Sequence, residues 1–330
     1  MRDRRVIALV VLCALCLVAS VAYVARGGAQ DDGGRSAQAG SSGDIRLVDT
    51  TDSIVFRNLD RKNVARYGFT AVARVDSPAA RKIEPLPCDR VYFAAGRGLC
   101  LEPAGVVFKQ QVYILGERLQ QVGRVTLQGV PSRARVSPDG RYGAVTFFVY
   151  GHSYATPGSF STQTTIIDLE KKKKLVNLER LKVTKDGKAF NSPDFNFWGV
   201  TFAEDSDRFY ATLSSRGTTY LVVGSVSGRT ARVLREDVEC PSLSPDGTKI
   251  AFKNRIGKSS RWRLHVLDVA TLRDHPLAET RSVDDQAEWL DNGQVLYGLD
   301  SSVWVVPADG SGAPRRLLES ADSPAVVRAA

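Results

Sequence analysis

One segment of the chain approaches a catalytic motif. The run GHSYA at residues 151–155 is similar to the pattern Gly-x-Ser-x-Gly, which presents a nucleophilic serine on a sharp turn between a strand and a helix. Here the motif follows an apolar strand pattern at residues 144–150, and a loop of Pro, Gly and Ser residues follows it. No helical pattern is present, so we do not expect serine-hydrolase chemistry.

The other residues capable of chemistry form no ligand or catalytic set. His265 and His275 fall on predicted strands of a different repeat, and three histidines with dispersed cysteines lack the spacing of a metal site. Acidic residues such as Asp139 and Asp246 lie in SPDG runs, where aspartate suits a tight turn. We therefore predict no catalytic residue, no cofactor and no metal ligand.

The elements around these residues belong to a degenerate repeat. The string at residues 136–147 (VSPDGRYGAVTF) returns at 243–253 (LSPDGTKIAFK), and weaker copies occur at 202–213 and 289–299. In each copy a turn-forming cluster precedes alternating apolar residues, which is the pattern of a strand buried on one face. A repeat of about forty residues made only of strands and turns is typical of a β-propeller.

The repeat resembles the WD-like repeats of TolB-type propellers. Residues 241–320 match best, 132–178 match well, and 45–128 match only in the rhythm of their strands. The resemblance implies a propeller that makes protein–protein contacts at the cell envelope. This chain lacks the small α/β domain that precedes the propeller in that family, so the partners of the family are not carried over.

We predict an all-β fold: a six-bladed β-propeller of four-stranded blades over residues 45–320, with seven blades as the alternative count. The predicted blades span residues 45–86, 87–128, 132–182, 197–236, 240–282 and 285–320. An open ring would leave unpaired sheet edges, so a strand near residues 45–48 is expected to pair with the last blade. Residues 321–330 are expected to form a C-terminal tail.

The N-terminus carries a separate signal. Residues 6–25 contain no charged side chain, and such a run is long enough to cross a hydrocarbon core of about 30 Å. Arginines within residues 1–5 favour a cytoplasmic N-terminus and a propeller outside the membrane. We favour a single-pass transmembrane anchor in the cell membrane, with a cleaved signal peptide as the alternative. The Gly- and Ser-rich residues 26–44 are predicted to form a flexible linker.

Three cysteines lie outside the predicted anchor. An oxidising exterior permits a disulfide between Cys88 and Cys100. The alternative is two buried thiols, because a tight turn near Gly96 would place Phe93 opposite Cys100 on the neighbouring strand. Cys240 is expected to be an inert buried thiol.

The chain is basic, with a net charge of +9, and nearly all of this charge follows residue 44. A basic domain outside a membrane can attract anionic lipid or a wall polymer. We interpret the densest cluster, Lys171–Lys174, as a solvated turn between the last two strands of the third blade, rather than as a binding site. We expect no nucleic-acid binding, because the predicted location is extracytoplasmic and no nucleic-acid motif is present.

Partner contacts are expected on the longer loops. In a propeller, loops between the second and third strands and connections between blades emerge on one side, so residues 150–161, 182–197 and 254–262 should form an adjacent arc. Aromatic and arginine side chains are enriched at protein interfaces, although the aromatics could instead cover blade edges. The predicted contacts are Tyr154, Phe195, Arg255, Arg261 and Trp262.

These features favour a membrane-anchored, non-enzymatic propeller that binds proteins of the cell envelope. The alternatives are an envelope enzyme or accessory subunit with a site in the channel, and a sensor of wall polymer or carbohydrate. Carboxylates or histidines converging on the channel would favour an enzyme. A smooth channel beside aromatic and basic loops would favour a scaffold.

Overall fold

The predicted all-β, six-bladed propeller is confirmed. The structure, a computed structural model, describes residues 51–102, 109–149, 161–257 and 259–329. These residues form six sheets, and within them the only helices are the 3-10 turns Val64–Arg66 and Leu178–Arg180. The predicted anchor and linker lie outside the described residues. In the described part, no helix is both long enough and apolar enough to cross a membrane.

The strands follow one another blade by blade along the chain. Blade one begins with β1 (Ser53–Asn58), β2 (Phe69–Arg74) and β3 (Ser77–Pro87). Blade two contains β4 (Arg90–Ala94), β5 (Arg97–Leu101), β6 (Lys109–Leu115) and β7 (Gln121–Gln128). Blade three contains β8 (Val130–Val136), β9 (Tyr142–Val149), β10 (Ser161–Asp168) and β11 (Lys173–Asn177).

The second half of the ring repeats this order. A hairpin of β12 (Lys182–Lys185) and β13 (Lys188–Phe190) precedes blade four, which contains β14 (Asn196–Phe202), β15 (Arg208–Ser215), β16 (Thr218–Ser225) and β17 (Thr230–Glu236). Blade five contains β18 (Glu239–Leu243), β19 (Lys249–Arg255), β20 (Trp262–Asp268) and β21 (Asp274–Pro276). Blade six contains β22 (Glu288–Asp291), β23 (Gln294–Leu299), β24 (Ser302–Pro307) and β25 (Arg315–Glu319), and the last strand is β26 (Ala321–Val327).

The C-terminal strand closes the ring. β26 pairs antiparallel with β1, with Ser53 opposite Val327 and Asn58 opposite Ala321, and forms the innermost strand of blade one. The ring therefore closes in blade one, and the described part of blade six takes its four strands from residues 288–319. Residues 45–48, which were predicted to pair with the last blade, lie outside the described residues. The predicted C-terminal tail is wrong over β26, because the alternating pattern of this strand lacks a preceding SPDG turn.

The blades pack through apolar clusters, one at each of the six interfaces between neighbouring blades. Each cluster combines side chains from two blades; Phe147 of blade three, for example, packs with Leu99 of blade two. The blade faces are apolar and cannot be buried within one blade, so each interface supplies the core of the two sheets that it joins.

The innermost strands line a central channel. β4, β8, β14, β18, β22 and β26 contact one another in that order around the ring. We call the side with the tight turns at 137–141 and 244–248 the turn face. We call the opposite side, which carries the connections at 59–68, 256–261 and 277–287, the loop face. Each inner strand starts at the loop face and ends at the turn face, where a tight turn leads into the second strand of its blade.

The segment predicted as a long loop at 182–197 contains the β12–β13 hairpin. β12 pairs in parallel with β17, with Lys182 opposite Thr230, and extends blade four to six strands at its outer edge. Val183 is buried in the apolar cluster between blades three and four, and Phe190 packs against the same cluster. These two side chains hold the hairpin against the blade and remove most of the segment from the loop face.

Cys88 and Cys100 form a disulfide, with their Cα atoms 5.4 Å apart. The β4–β5 hairpin sets Val91 opposite Cys100 and Phe93 opposite Gly98, so the predicted pairing of Phe93 with Cys100 is wrong. The register differs because the turn falls at residues 95–96, which shifts the pairing by two residues. Cys240 is free and buried.

Five of the six inner strands have an irregular register against the second strand of their blade. Such β-bulges increase the local twist and redirect side chains. Two of these bulges touch: Gly199 in β14 has φ +64°, and a Cβ there would lie 2.6 Å from Cα of Cys240. Only a residue without a side chain allows these two inner strands to approach so closely.

We predict that Gly199→Ala destabilises the propeller more than Gly217→Ala. Both glycines have positive φ, but a Cβ added at Gly217 would meet no atom within 4 Å. The left-handed conformation costs alanine about 1–2 kcal/mol at either site, and the clash at Gly199 adds about 1–3 kcal/mol. Urea unfolding of both variants measures the difference. Equal losses of stability would show that the contact with Cys240 does not constrain the inner strands.

Candidate functional site

Charged side chains converge on the loop-face mouth of the channel. The inner strands start at this face, so residues at or just before their starts lie around the mouth. Four of the six blades contribute to the mouth in this way, and blade one adds a residue from the start of β26. The residues are Asp89 and Arg90 (blade two), Arg133 (blade three), Glu239 (blade five), Asp284 and Asp285 (blade six) and Asp322 (blade one).

One side of the mouth is an ion network between blades one and two. Arg57 places Nη2 3.3 Å from Oδ1 of Asp89 and Nη1 3.5 Å from Oδ2 of Asp322. Arg90 lies 3.8 Å from the same oxygen of Asp322. Burial raises the pKa of Asp322, and the two arginines oppose this effect. The network thus joins the closing strand β26 to its neighbour blade.

On the other side of the mouth, two cations lie close to the ring of Trp262. Nζ of Lys253 is 4.5 Å and Cζ of Arg255 is 4.8 Å from the centroid of the indole ring, within the range of cation–π attraction. Arg255 donates to Oε1 of Glu239 from Nε at 3.0 Å and from Nη2 at 2.7 Å. Lys253 pairs with Asp284. Burial alone would raise the pKa of Asp284, but Lys253 first and then neighbouring arginines hold it below its usual value.

The structure brings together three of the five predicted contact residues. Arg255 and Trp262 share the cluster just described, and Arg261 is exposed in the same loop. Phe195 lies elsewhere, half-buried beside the hairpin, with its ring 5.2 Å from Phe190 and 6.2 Å from Phe197. Tyr154 lies outside the described residues.

Sequence analysis missed Lys253, Glu239 and Asp284. Only their positions in the strand pattern could have indicated them. Lys253 lies near the loop-face end of β19, Glu239 begins β18, and Asp284 lies in the connection before β22. A search for charges at the loop-face ends of the inner strands would have found the mouth of the channel. The search for short motifs could not, because these residues come from distant parts of the chain.

Halfway through the channel, Arg135 and Glu288 form a buried ion pair. Nη1 of Arg135 lies 3.1 Å from Oε2 of Glu288, and the side chains are 8% and 6% exposed. The guanidinium also donates to the carbonyl of Ala287 and lies 4.5 Å from the ring centroid of Tyr92. This pair crosses from blade three to blade six. On its far side, a cavity of about 810 Å³ opens at the turn face.

No catalytic centre emerges from these contacts. The described residues include no group of three or more His, Cys, Asp or Glu side chains that could hold a metal ion. Nδ1 of His265 is 2.7 Å from Oδ2 of Asp274, but the pair lies on the outer strands of blade five, where Asp274 also binds Arg235. Burial lowers the pKa of His265, although Asp274 opposes this effect. The GHSYA motif lies outside the described residues.

Comparison with solved structures agrees with the architecture. The chain superposes on TolB from Acinetobacter baumannii with a TM-score of 0.57 and 16% identity, over 85% of this chain and 67% of TolB. The fold is the six-bladed propeller of TolB. A putative TolB from Agrobacterium tumefaciens gives a TM-score of 0.50 with 12% identity, over 82% of this chain and 89% of that one.

A third solved structure comes from a different context. A chain of a nidogen/laminin complex gives a TM-score of 0.55 with 10% identity, over 84% of this chain and 97% of that one. Identities this low establish the fold alone. No protein-family model matches the sequence. No curated protein matches it either.

We predict that breaking the Arg135–Glu288 pair on one side destabilises the ring strongly. Arg135→Met leaves Glu288 buried without its cation, a change that typically costs about 3–5 kcal/mol. The double variant R135M/E288L removes both charges and should lose much less. Denaturant unfolding of the single and double variants gives the comparison. If the double variant is no more stable than Arg135→Met, the pair does not act as a unit.

Proposed function

We propose that this protein is a membrane-anchored, extracytoplasmic propeller that binds a protein of the cell envelope and has no catalytic role of its own. The observation that carries the proposal is the surface around Trp262 on the loop face. Arg255 and Lys253 both lie within 5 Å of the centre of the indole ring, Arg261 is exposed nearby, and Ile256 is 43% exposed at the start of the same loop. Tryptophan and arginine beside an exposed aliphatic side chain are typical of an interface hot spot.

The location in the envelope is supported by two features. The uncharged run at residues 6–25 follows an arginine-rich start, the positive-inside pattern of an anchor. The Cys88–Cys100 disulfide suits an oxidising compartment.

Carboxylates do gather at the channel mouth, as expected of an enzyme, but their ion pairs argue for a structural role. Asp284 is paired with Lys253, and Asp322 lies near two arginines, so the charge of each is balanced by neighbours. A general base needs a free proton-accepting position near the substrate, and a general acid needs a proton to donate. The basic net charge of the chain also fits a partner with an acidic surface, and anionic lipid or a wall polymer is the alternative ligand of that chemistry.

The partner surface can be tested by changing exposed side chains only. Ile256→Asp and Arg261→Glu alter the loop without removing the Arg255–Glu239 contact. We expect the double variant to recover at least tenfold less partner after crosslinking in cells and pull-down from membranes, since one hot-spot loss costs about 2 kcal/mol. Lys173→Glu with Lys174→Glu, on the turn face, is the matched control. Loss of partner in the control alone would show that the interface lies on the turn face and not on the loop face.

The topology needs a separate test. Protease added to spheroplasts should digest the propeller and leave a small membrane-embedded fragment that contains residues 6–25, because the anchor is predicted to stay attached. The same treatment after permeabilisation should digest cytoplasmic control proteins as well. A soluble product that begins near Tyr23 or Gln30 would show instead that the segment is a cleaved signal peptide.

A further inference from the structure

Two cavities flank the outer edge of blade four, and cations line both of them. The first cavity has a volume of about 410 Å³, and the second has a volume of about 590 Å³. Six cations contribute, three to each cavity: Lys174, Arg180 and Arg229 to the first, and Lys182, Arg208 and Arg232 to the second. No Asp or Glu is among the described residues that line either cavity. Each lining is therefore positive, with no acidic residue to balance it.

The cavities lie on opposite faces of the blade-four sheet. Residues of blade three, among them Lys174, form part of the first cavity, so this cavity lies on the face towards blade three. Arg232 lines the second cavity together with Val223, its partner across the β16–β17 ladder. Val223 packs against the apolar cluster shared with blade five, so the second cavity lies on the face towards blade five.

The two cavities meet where the β12–β17 ladder begins. Successive side chains of a strand point to opposite faces of its sheet. Leu181 and Arg229 line the first cavity, and the next residues along the chain, Lys182 and Thr230, line the second. The Lys182 amide donates to the Arg229 carbonyl oxygen at 3.2 Å. This pair of hydrogen-bonded backbone segments thus separates one cavity from the other.

Five of the six cations are exposed and form no ion pair within the described part of the chain. The sixth, Arg208, lies 3.5 Å from Asp205 in a solvent-exposed pair. Nearby carboxylates are engaged elsewhere. Glu236 pairs with Lys185, and Glu179 accepts hydrogen bonds from backbone amides of β10 and β14. The positive charge of the two cavities is therefore left for a ligand to neutralise.

The lysine run Lys171–Lys174 contributes one residue to this site. Lys171 pairs with Asp168 at 3.4 Å, and the side chain of Lys172 lies against Gly123 of blade two. Lys174 lines the first cavity. The lysines of the run thus serve different contacts, and the basic site arises because the fold joins Lys174 to cations from the edge of blade four.

The shape of the site selects among anionic ligands. A flat bilayer cannot contact opposite faces of one sheet edge at the same time, and a small anion fills only one cavity. A flexible chain that carries an anionic group in each unit can cross the start of the β12–β17 ladder and place charges in both. No aromatic side chain is among the described residues that line the cavities, whereas proteins that bind single-stranded nucleic acid stack the bases on aromatic rings.

The donors in the two cavities fit phosphate groups. A guanidinium binds phosphate through two parallel hydrogen bonds, and arginines line both cavities. Thr165 adds a hydroxyl to the first lining, and Thr184 and Thr230 add hydroxyls to the second. A phosphate group has oxygens beyond the pair that a guanidinium binds, so it can accept from these hydroxyls as well.

We propose that the outer edge of blade four binds a linear phosphate polymer, which crosses the start of the β12–β17 ladder and places phosphate groups in both cavities. Because the two cavities hold parts of one molecule, binding in one raises the effective concentration of phosphate at the other. The polymer therefore binds more tightly than a short phosphate. The site shares no residue with the surface around Trp262 and does not depend on the proposed function.

The test measures binding of fluorescently labelled long-chain polyphosphate to the full chain purified in detergent, by fluorescence anisotropy. Binding should be saturable and should weaken as salt is added, because cations that neutralise phosphates release counter-ions. Pyrophosphate, polyglutamate and phosphatidylglycerol vesicles serve as competitors, and each should compete about tenfold more weakly than unlabelled polyphosphate at equal concentration of negative charge. Absence of polyphosphate binding, or equal competition by any of the three, would overturn the proposal.

Variants assign binding to the two cavities. R180Q/R229Q alters the first cavity and K182Q/R232Q alters the second, and each should weaken polyphosphate binding about tenfold because contact through both cavities is lost. R61Q/K62Q removes the same charge from exposed residues of blade one and should leave binding unchanged. The altered side chains are all exposed, so the unfolding temperature should stay the same in every variant. An equal loss in R61Q/K62Q, or a loss confined to one cavity variant, would contradict binding across both cavities.

Discussion

Pairing between the first and the last described strands holds this propeller closed. Each blade buries its apolar faces only against its two neighbours. A ring with one open interface would therefore expose the facing sides of two blades, which together form one of the six apolar clusters, to water. β26 prevents this by entering blade one beside β1, with residues 321–327 opposite residues 53–58. The backbone ladder between the two strands must break before the ring can open. The Arg57–Asp322 contact adds an ion pair across the same junction.

Closure also decides the character of the channel. Six inner strands around a narrow axis bring together side chains that are distant in sequence, and polar groups there are shielded from bulk water. The chain meets this constraint with paired charges: Arg135 reaches Glu288 across the axis, while arginines and aspartates neutralise each other at the loop-face mouth. Buried charges are tolerated only with such partners.

The two faces of the disc have different physical roles. The turn face carries short SPDG turns, satisfied by their own aspartate side chains; Asp246, for instance, accepts hydrogen bonds from Ser244 and from the Thr248 amide. Such turns are rigid and leave few free polar groups. The loop face has longer connections, and two cations of blade five lie within cation–π distance of Trp262 there. The proposed partner surface lies on this face, whose connections can vary without changing the turns that fix each blade.

Sequence alone determined the fold, because alternation and the SPDG turns are local signals that repeat through the chain. It also placed Arg255, Arg261 and Trp262 in one loop, since a hairpin connection is fixed by its two strands. Tertiary structure decided which strand closes the ring, that residues 182–190 form an edge hairpin, and which charges meet in the channel. Those outcomes depend on contacts between distant segments: β26 needs β1, Val183 needs the core between blades three and four, and Arg135 meets Glu288 only when six blades complete a circle.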